Sequence, residues 1–351
     1  MATTPRTSVH ARCAFALTLT ALACSPSSAQ ERAAAGSTPR HDAPPLSLGA
    51  LHELVPAAGL RWMVVGQPRK ISENADLKAA VHKLLPARRL DAFARGTAVD
   101  LRTLPSALVA GFDLGTLYLA DLPEPRGHDA LDRFVDRLGG RAVIERPHQR
   151  IVRASGTVEG IPHGFVDLDG RIVGVSIGDL TLSRIPIGFA MGKLRKTVPS
   201  LRGAALSTLP ELDDDSALTF YAPGPFAGEW ARGARGVLAA SLAVAISVEP
   251  AADGFLRATA TLSGEWEPGG EAAAEALRLA FEELASSPTG KLFAFERARG
   301  LTASSHPQYL TLSAELELDP LVRGLHAAVM ADVWEILDLP QPADVAPETS
   351  R

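Results

Sequence analysis

Gly174-Val175-Ser176-Ile177-Gly178 is a G-x-S-x-G pentapeptide. In hydrolases this pattern makes a sharp strand-to-helix turn, where the glycines clear space and the serine Oγ stands exposed beside a histidine. Asp213, Asp214 and Asp215, then His306 and His326, follow in the Ser, Asp, His order of that chemistry. The local context argues against it. Ser176 ends a hairpin-type strand, and Pro186 interrupts any helix within ten residues. Hairpins also do not supply the parallel sheet on which such a turn sits. Ser176 is thus the one candidate nucleophile, and a small-residue strand packed on its neighbours is the favoured account.

Metal and nucleotide chemistry find little support. The nine histidines are scattered singly, with no H-E-x-x-H and no pair at i, i+4. Asp167-x-Asp169-Gly170 has the start of a calcium loop, but no later ligand positions match. Asp213-Asp214-Asp215 reads as a solvated acidic loop, or a cap preceding the next strand, rather than as a weak calcium site. Gly188-x-x-x-Gly192-Lys193 is one residue too short for a phosphate loop, and Leu194 follows instead of Ser or Thr. No cofactor and no metal are expected.

The cysteines point elsewhere. Both of them, Cys13 and Cys24, fall in the first 24 residues. There Arg6 and Arg12 precede an uncharged apolar run over 13–23 (CAFALTLTALA), followed by small residues. Positive flank, apolar length and small-residue exit are those of a cleaved export signal, and the run is too short to span a membrane. Ala21-Leu22-Ala23-Cys24 resembles the lipobox of bacterial lipoproteins, with Ala21 where that family most often has Leu. The resemblance implies that Cys24 is lipidated and becomes the N-terminus. A plain secretory cut after Ala29, in Ser27-Ser28-Ala29, is the alternative. A thiol-free body favours the lipoprotein, because lipidation consumes the one cysteine left after processing.

Residues 1–23 are read as signal peptide and 24–47 as a disordered tether. That tether is rich in Ser, Ala and Pro, so it buries too little to offset its ordering entropy. Residues 48–205 and 206–339 form two α+β halves, and the Pro-rich 340–351 is a disordered tail. The formal charge of −5 becomes −7 once Arg6 and Arg12 leave with the signal. That acidity disfavours nucleic acid as a partner. Lys193, Arg195, Lys196 and Arg202 form the one basic cluster, read as solvated surface, with contact to anionic lipid as the alternative.

Periodicity predicts the elements. Strands are expected over 60–65, 116–120, 150–158, 161–167, 171–177, 216–221, 241–248, 255–263 and 309–317. Asp169-Gly170 and Asp253-Gly254 mark hairpin turns. Helices are expected over 72–85, over 129–138 with Gly139-Gly140 as its stop, and near 226–239. Another follows 263, with Ala274, Leu277, Phe281 and Leu284 inward. The last opens at Asp319-Pro320, with Leu321, Leu325, Val329, Val333 and Leu337 on its core face. The expected architecture is α+β: antiparallel sheet with helices packed on one face, in two halves that look alike in outline.

The stretch RIVRASGTVEGIPHGFVDLDGRIVGVSIGDL, residues 150–180, runs strand, turn, then apolar strand after Asp-Gly. With the leader, the tether and repeated strand–helix–hairpin units, it resembles exported bacterial proteins of unknown function. The resemblance implies location and fold, and no activity. The expectation is an envelope lipoprotein, periplasmic or attached to the outer membrane, that binds a protein or an apolar ligand without catalysis. A serine hydrolase using Ser176 and a carrier enclosing an apolar ligand are the alternatives.

Overall fold

The computed structural model describes residues 46–210, 216–228 and 232–336. Cys24, Ala29, the tether as far as residue 45, Asp213 to Asp215 and the tail lie outside them; at the tether's end Leu46 packs on the core and the Ser47 N–H donates to the Ala190 carbonyl, so those two residues are ordered. The chain divides into two units. Residues 43–326 form one; residues 1–42 with 327–351 form the other, whose described part is the end of the last helix.

The unit 43–326 carries a twelve-stranded sheet. Its strands are β1 (Leu60–Gly66), β2 (Ser106–Phe112), β3 (Thr116–Asp121), β4 (Gly139–His148), β5 (Ile151–Val158) and β6 (Ile161–Leu168), followed by β7 (Ile172–Ile177), β8 (Leu218–Pro223), β9 (Ala243–Pro250), β10 (Phe255–Ser263), β11 (Arg299–His306) and β12 (Tyr309–Glu317). Their order is β11-β12-β10-β9-β8-β1-β2-β3-β7-β6-β5-β4. Every neighbouring pair is antiparallel. The expected α+β class with antiparallel pairing is therefore observed. The boundary drawn at 205/206 falls inside this unit, and β1 pairs with β8 across it.

Local chemistry explains the hairpins. Asp169 and Gly170 both take positive φ, as do Asp253 and Gly254, and Glu159 and Gly160. Two successive left-handed residues give the turn whose twist matches that of the flanking strands. Asp169-Gly170 is closed by the Arg171 N–H donating to the Leu168 carbonyl at 3.1 Å.

Alternation then sorts side chains between faces. On the front lie Phe165, Ala154 and Val173, covered by α3 (Ala87–Thr97) through Phe93 and by α4 (Gly127–Val135) through Ala130, Leu131 and Phe134. Further along the front, Leu262, Leu310 and Leu312 pack under Ala274 and Leu277 of α7 (Gly270–Ser286). Leu256 packs with Leu77 and Ala80 of α2 (Ala75–Leu84), and with Leu318 and Val322 at the start of α8 (Leu318–Ile336). Each such buried leucine or phenylalanine contributes roughly 1.5–3 kcal/mol relative to an exposed one.

The one-face expectation needs correction. The back of β1 to β7 carries the largest cluster, with Met63, Leu108, Leu119, Val166 and Leu168. It is covered by the turn Leu51–Leu54, by Leu182 and Leu206, and by α5 (Ile185–Ala190). β6 and β7 are apolar on both faces, so both must be covered. Beyond β8 the back turns polar, with Ser247, Thr259 and Ser313 in register and Thr261 and Glu315 on the same face.

Several helix details also differ. The helix expected over 72–85 is α1 (Pro68–Glu73) and α2. They are divided at Asn74, whose side chain caps α2 by accepting from the Asp76 and Leu77 N–H groups. Leu284 is 43% exposed, not inward. On the last helix Leu318 and Val322 are buried and Leu321 packs against the same cluster, so the expected core face also takes in Leu318 and Val322. Gly139-Gly140 stops α4 but also opens β4. Of the helix near 226–239, the described residues show a turn over Gly233–Gly236 and α6 (Val237–Ala240).

Candidate functional site

Ser176 sits within β7, in extended backbone, opposite Leu117 and Gly164. It points to the covered back face, is 0% exposed, and its Oγ has no hydrogen-bond partner. His163 is opposite Ile177 and so points to the front; its Nδ1 lies 2.9 Å from the Ile161 carbonyl. His306 stacks on Tyr309 at 4.4 Å between ring centroids, at the far edge of the sheet. His326 is exposed on α8. The structure therefore does not bring Ser176 and these histidines together.

Packing accounts for the glycines of the pentapeptide. A Cβ on Gly174 would lie 2.6 Å from Leu119 Cδ2 and 2.9 Å from Val166 Cγ1. Gly178 takes φ +89°, and its Cβ would lie 2.6 Å from the Leu114 carbonyl oxygen. Gly115 meets the same seam from the other side, with a Cβ position 2.5 Å from the Ile177 oxygen. The β2–β3 turn thus presses directly on the end of β7, and only glycine leaves room.

Beside Ser176 lies a buried polar cluster that sequence reading missed. Arg153 of β5 is 3% exposed. Its guanidinium donates to Ser183 Oγ at 3.0 Å, to Glu145 Oε2 at 2.6 Å and to the Leu180 carbonyl at 3.2 Å. Ser183 in turn donates to the Leu180 carbonyl at 2.9 Å. A Cβ on Gly164 would stand 2.6 Å from both Ser176 Oγ and Ser183 Oγ, so that glycine keeps space between two hydroxyls. A charged residue in an otherwise apolar strand was the available signal, since such a group is buried only with partners.

Asp167 is likewise structural. It is 6% exposed and accepts the Gly170 N–H at 2.8 Å, which closes the turn. Burial pushes its carboxyl above the usual range, against the opposing pull of that hydrogen bond. The first residue of α4 rests on it, since a Cβ on Gly127 would come 2.3 Å from Asp167 Oδ1. Asp169 is paired with Arg150. Among the described residues no group of three or more His, Cys, Asp and Glu side chains could hold a metal ion. Lys193, Arg195 and Lys196 are exposed, and Arg202 pairs with Glu53 at 2.8 Å.

What the sheet does assemble is one register row across its front: Leu312, Ala260, Ile246, Phe220, Val64, Val109, Tyr118, Val175 and Phe165. Its ends are covered, Leu312 in the α7 cluster and Phe165 beneath Phe134 at 5.2 Å between ring centroids. Its middle is partly open. Ile246 is 37% exposed, and Val64, Val109 and Tyr118 are half-buried. Adjacent strands lie roughly 4.8 Å apart, so the span from Ile246 to Tyr118 is about 19 Å long. Two surface depressions, of about 410 Å3 against Leu279 and Glu282 and about 350 Å3 against Lys70 and Glu249, lie off this row. No helix among the described residues is long and apolar enough to cross a membrane.

No protein-family model, curated protein or solved structure matches the chain.

Proposed function

We propose that this chain is an exported, lipid-anchored envelope protein that acts as a non-catalytic binding module. It engages an apolar ligand or partner surface across the open row of its sheet. The observation that carries the reading is the row itself: apolar residues in register across adjacent strands, covered by helices at both ends and half-open between them. Exposed apolar surface held rigid by a sheet is the usual mark of a contact site. The export half rests on the leader and on Cys24.

The strand order supports two similar halves. In each, a first strand leads to a hairpin, a crossing that contains a helix, and a return that seats its last strand beside the hairpin. β1, β2–β3, α4 and β7 play these parts in one half; β8, β9–β10, α7 and β12 play them in the other. The two first strands, β1 and β8, pair antiparallel.

Two variants test the two parts. An apolar dye such as 8-anilinonaphthalene-1-sulfonate is expected to brighten on the wild-type protein. Ile246→Glu, which puts a charge mid-row at an exposed position, is expected to lose most of that signal without a change in melting temperature. Equal brightening by both would remove the row from the proposal. For the anchor, Cys24→Ser is expected to be exported yet to leave the membrane fraction. Unchanged partition contradicts lipidation.

A further inference from the structure

The sheet ends in two edges, β4 and β11. An edge strand offers unpaired N–H and C=O groups to another strand, and proteins ordinarily blunt it with charge, proline or bulges. β4 carries Arg141, Glu145, Arg146 and Pro147, with register shifts toward both ends. Its centre is different. Val143 and Ile144 are 55% and 51% exposed and, as consecutive strand residues, lie on opposite faces. Neither face of that edge is covered there.

We propose that β4 is a self-association edge, which pairs antiparallel with β4 of a second copy about a two-fold axis through Val143. The charge pattern selects both partner and register. With Val143 opposite its own copy, Arg141 stands opposite Glu145 of the second copy and Glu145 opposite Arg141, so the ion pair forms twice. Ile144 then meets Ala142, and all five positions from 141 to 145 are matched in kind. Neighbouring registers lose this. A two-fold between Val143 and Ile144 sets Arg141 against Arg146. A two-fold at Ile144 sets Glu145 against Val143 and Arg146 against Ala142. Opposite charges across antiparallel strands stabilise and like charges destabilise, so one register is singled out.

The side chains are placed for it. Arg141 is exposed and holds no ion pair among the described residues. Glu145 is held at the edge by Arg153 at 2.6 Å, with Arg184 at 3.7 Å, yet its side chain is 43% exposed and can accept a further donor. The opposite edge lacks this complementarity. β11 (RGLTASSH) has Arg299 and His306 and no acid, so it cannot pair with itself through charge. Each copy uses its β4 once, which closes the assembly at two and joins the two sheets into one.

The test uses the full chain and follows its mass by sedimentation equilibrium over about two decades of concentration. A reversible dimer is expected. Arg141→Glu alters an exposed side chain and sets like charges opposite each other twice, so the dissociation constant should rise about tenfold or more. A register-specific arm uses a Cys13→Ser, Cys24→Ser background. There Val143→Cys lies opposite itself and should give a covalent dimer under mild copper–phenanthroline oxidation. Ile144→Cys, opposite Ala142, and Ser304→Cys, on β11, should give far less. A monomer at every concentration, an unaffected Arg141→Glu, equal cross-linking at Val143 and Ser304, or open-ended growth would each overturn the proposal.

Discussion

Gly178→Ala is expected to destabilise the protein by about 2–4 kcal/mol, while Ser176→Ala, two residues away, leaves stability nearly unchanged. The glycine stands at φ +89°, outside the region that side chains adopt without strain. Its new methyl would also meet the Leu114 carbonyl oxygen at 2.6 Å, and a backbone atom held in a turn cannot swing aside. Strain and clash add, because relieving one by rotation of the backbone moves the end of β7 away from the Gly115 turn. Ser176 makes no hydrogen bond, so its removal exposes no partner and deletes a buried, unsatisfied hydroxyl. Urea midpoints of the two variants read the difference directly. The hydrolase reading demands the reverse order of importance. A fluorophosphonate label that disappears in Ser176→Ala would restore it.

Arg153→Ala should cost about 2–4 kcal/mol through a different mechanism. The guanidinium links β5 to the Leu180 carbonyl and Ser183 on one side and to Glu145 of the edge strand on the other. Truncation leaves Ser183 without its donor, Glu145 without its closest cation, and a void in a covered face. The Glu145 carboxylate is partly solvated, which keeps the penalty below that of a fully enclosed charge. Arg153→Lys keeps the charge but not the planar fork that reaches three acceptors, so it should fall between wild type and alanine. Thermal melts of the three proteins check the ranking. Equal loss in Lys and Ala would place the effect in the fork geometry, and no loss in either would refute a stabilising cluster.

Most strands with neighbours on both sides were legible in the sequence. β5, β6, β7, β10 and β12 were expected within a residue or two of their observed ends, because alternation and Asp-Gly turns are local signals. Three strands were not anticipated: β2, whose near-continuous apolar run SALVAGF carries no alternation, and β4 and β11, the two edges of the sheet. An edge strand need bury little on either face, so its residues show no alternation to read. The same limit hid the covered back face. β6 and β7 read as apolar strands, but which elements cover each side depends on segments as distant as Leu51 and Ile187.

The site followed the same division. The pentapeptide around Ser176 was visible as a pattern, and only its place in mid-strand, facing Leu117 and Gly164 under a covered face, assigns its glycines to close packing. Arg153 and Glu145 are eight residues apart on strands that pair, and nothing in their spacing announces the cluster they form with Ser183. By itself, the sequence determined the Asp169-Gly170 and Asp253-Gly254 hairpins, the helix face around Ala274, and the α+β class. Each follows from backbone preference and side-chain period within a few residues. Tertiary structure alone decided that the strands join in one sheet through β1 and β8, that the front row lines up across it, and that β4 is left bare. Those outcomes depend on register between distant segments, and register is set by packing rather than by any local residue pattern.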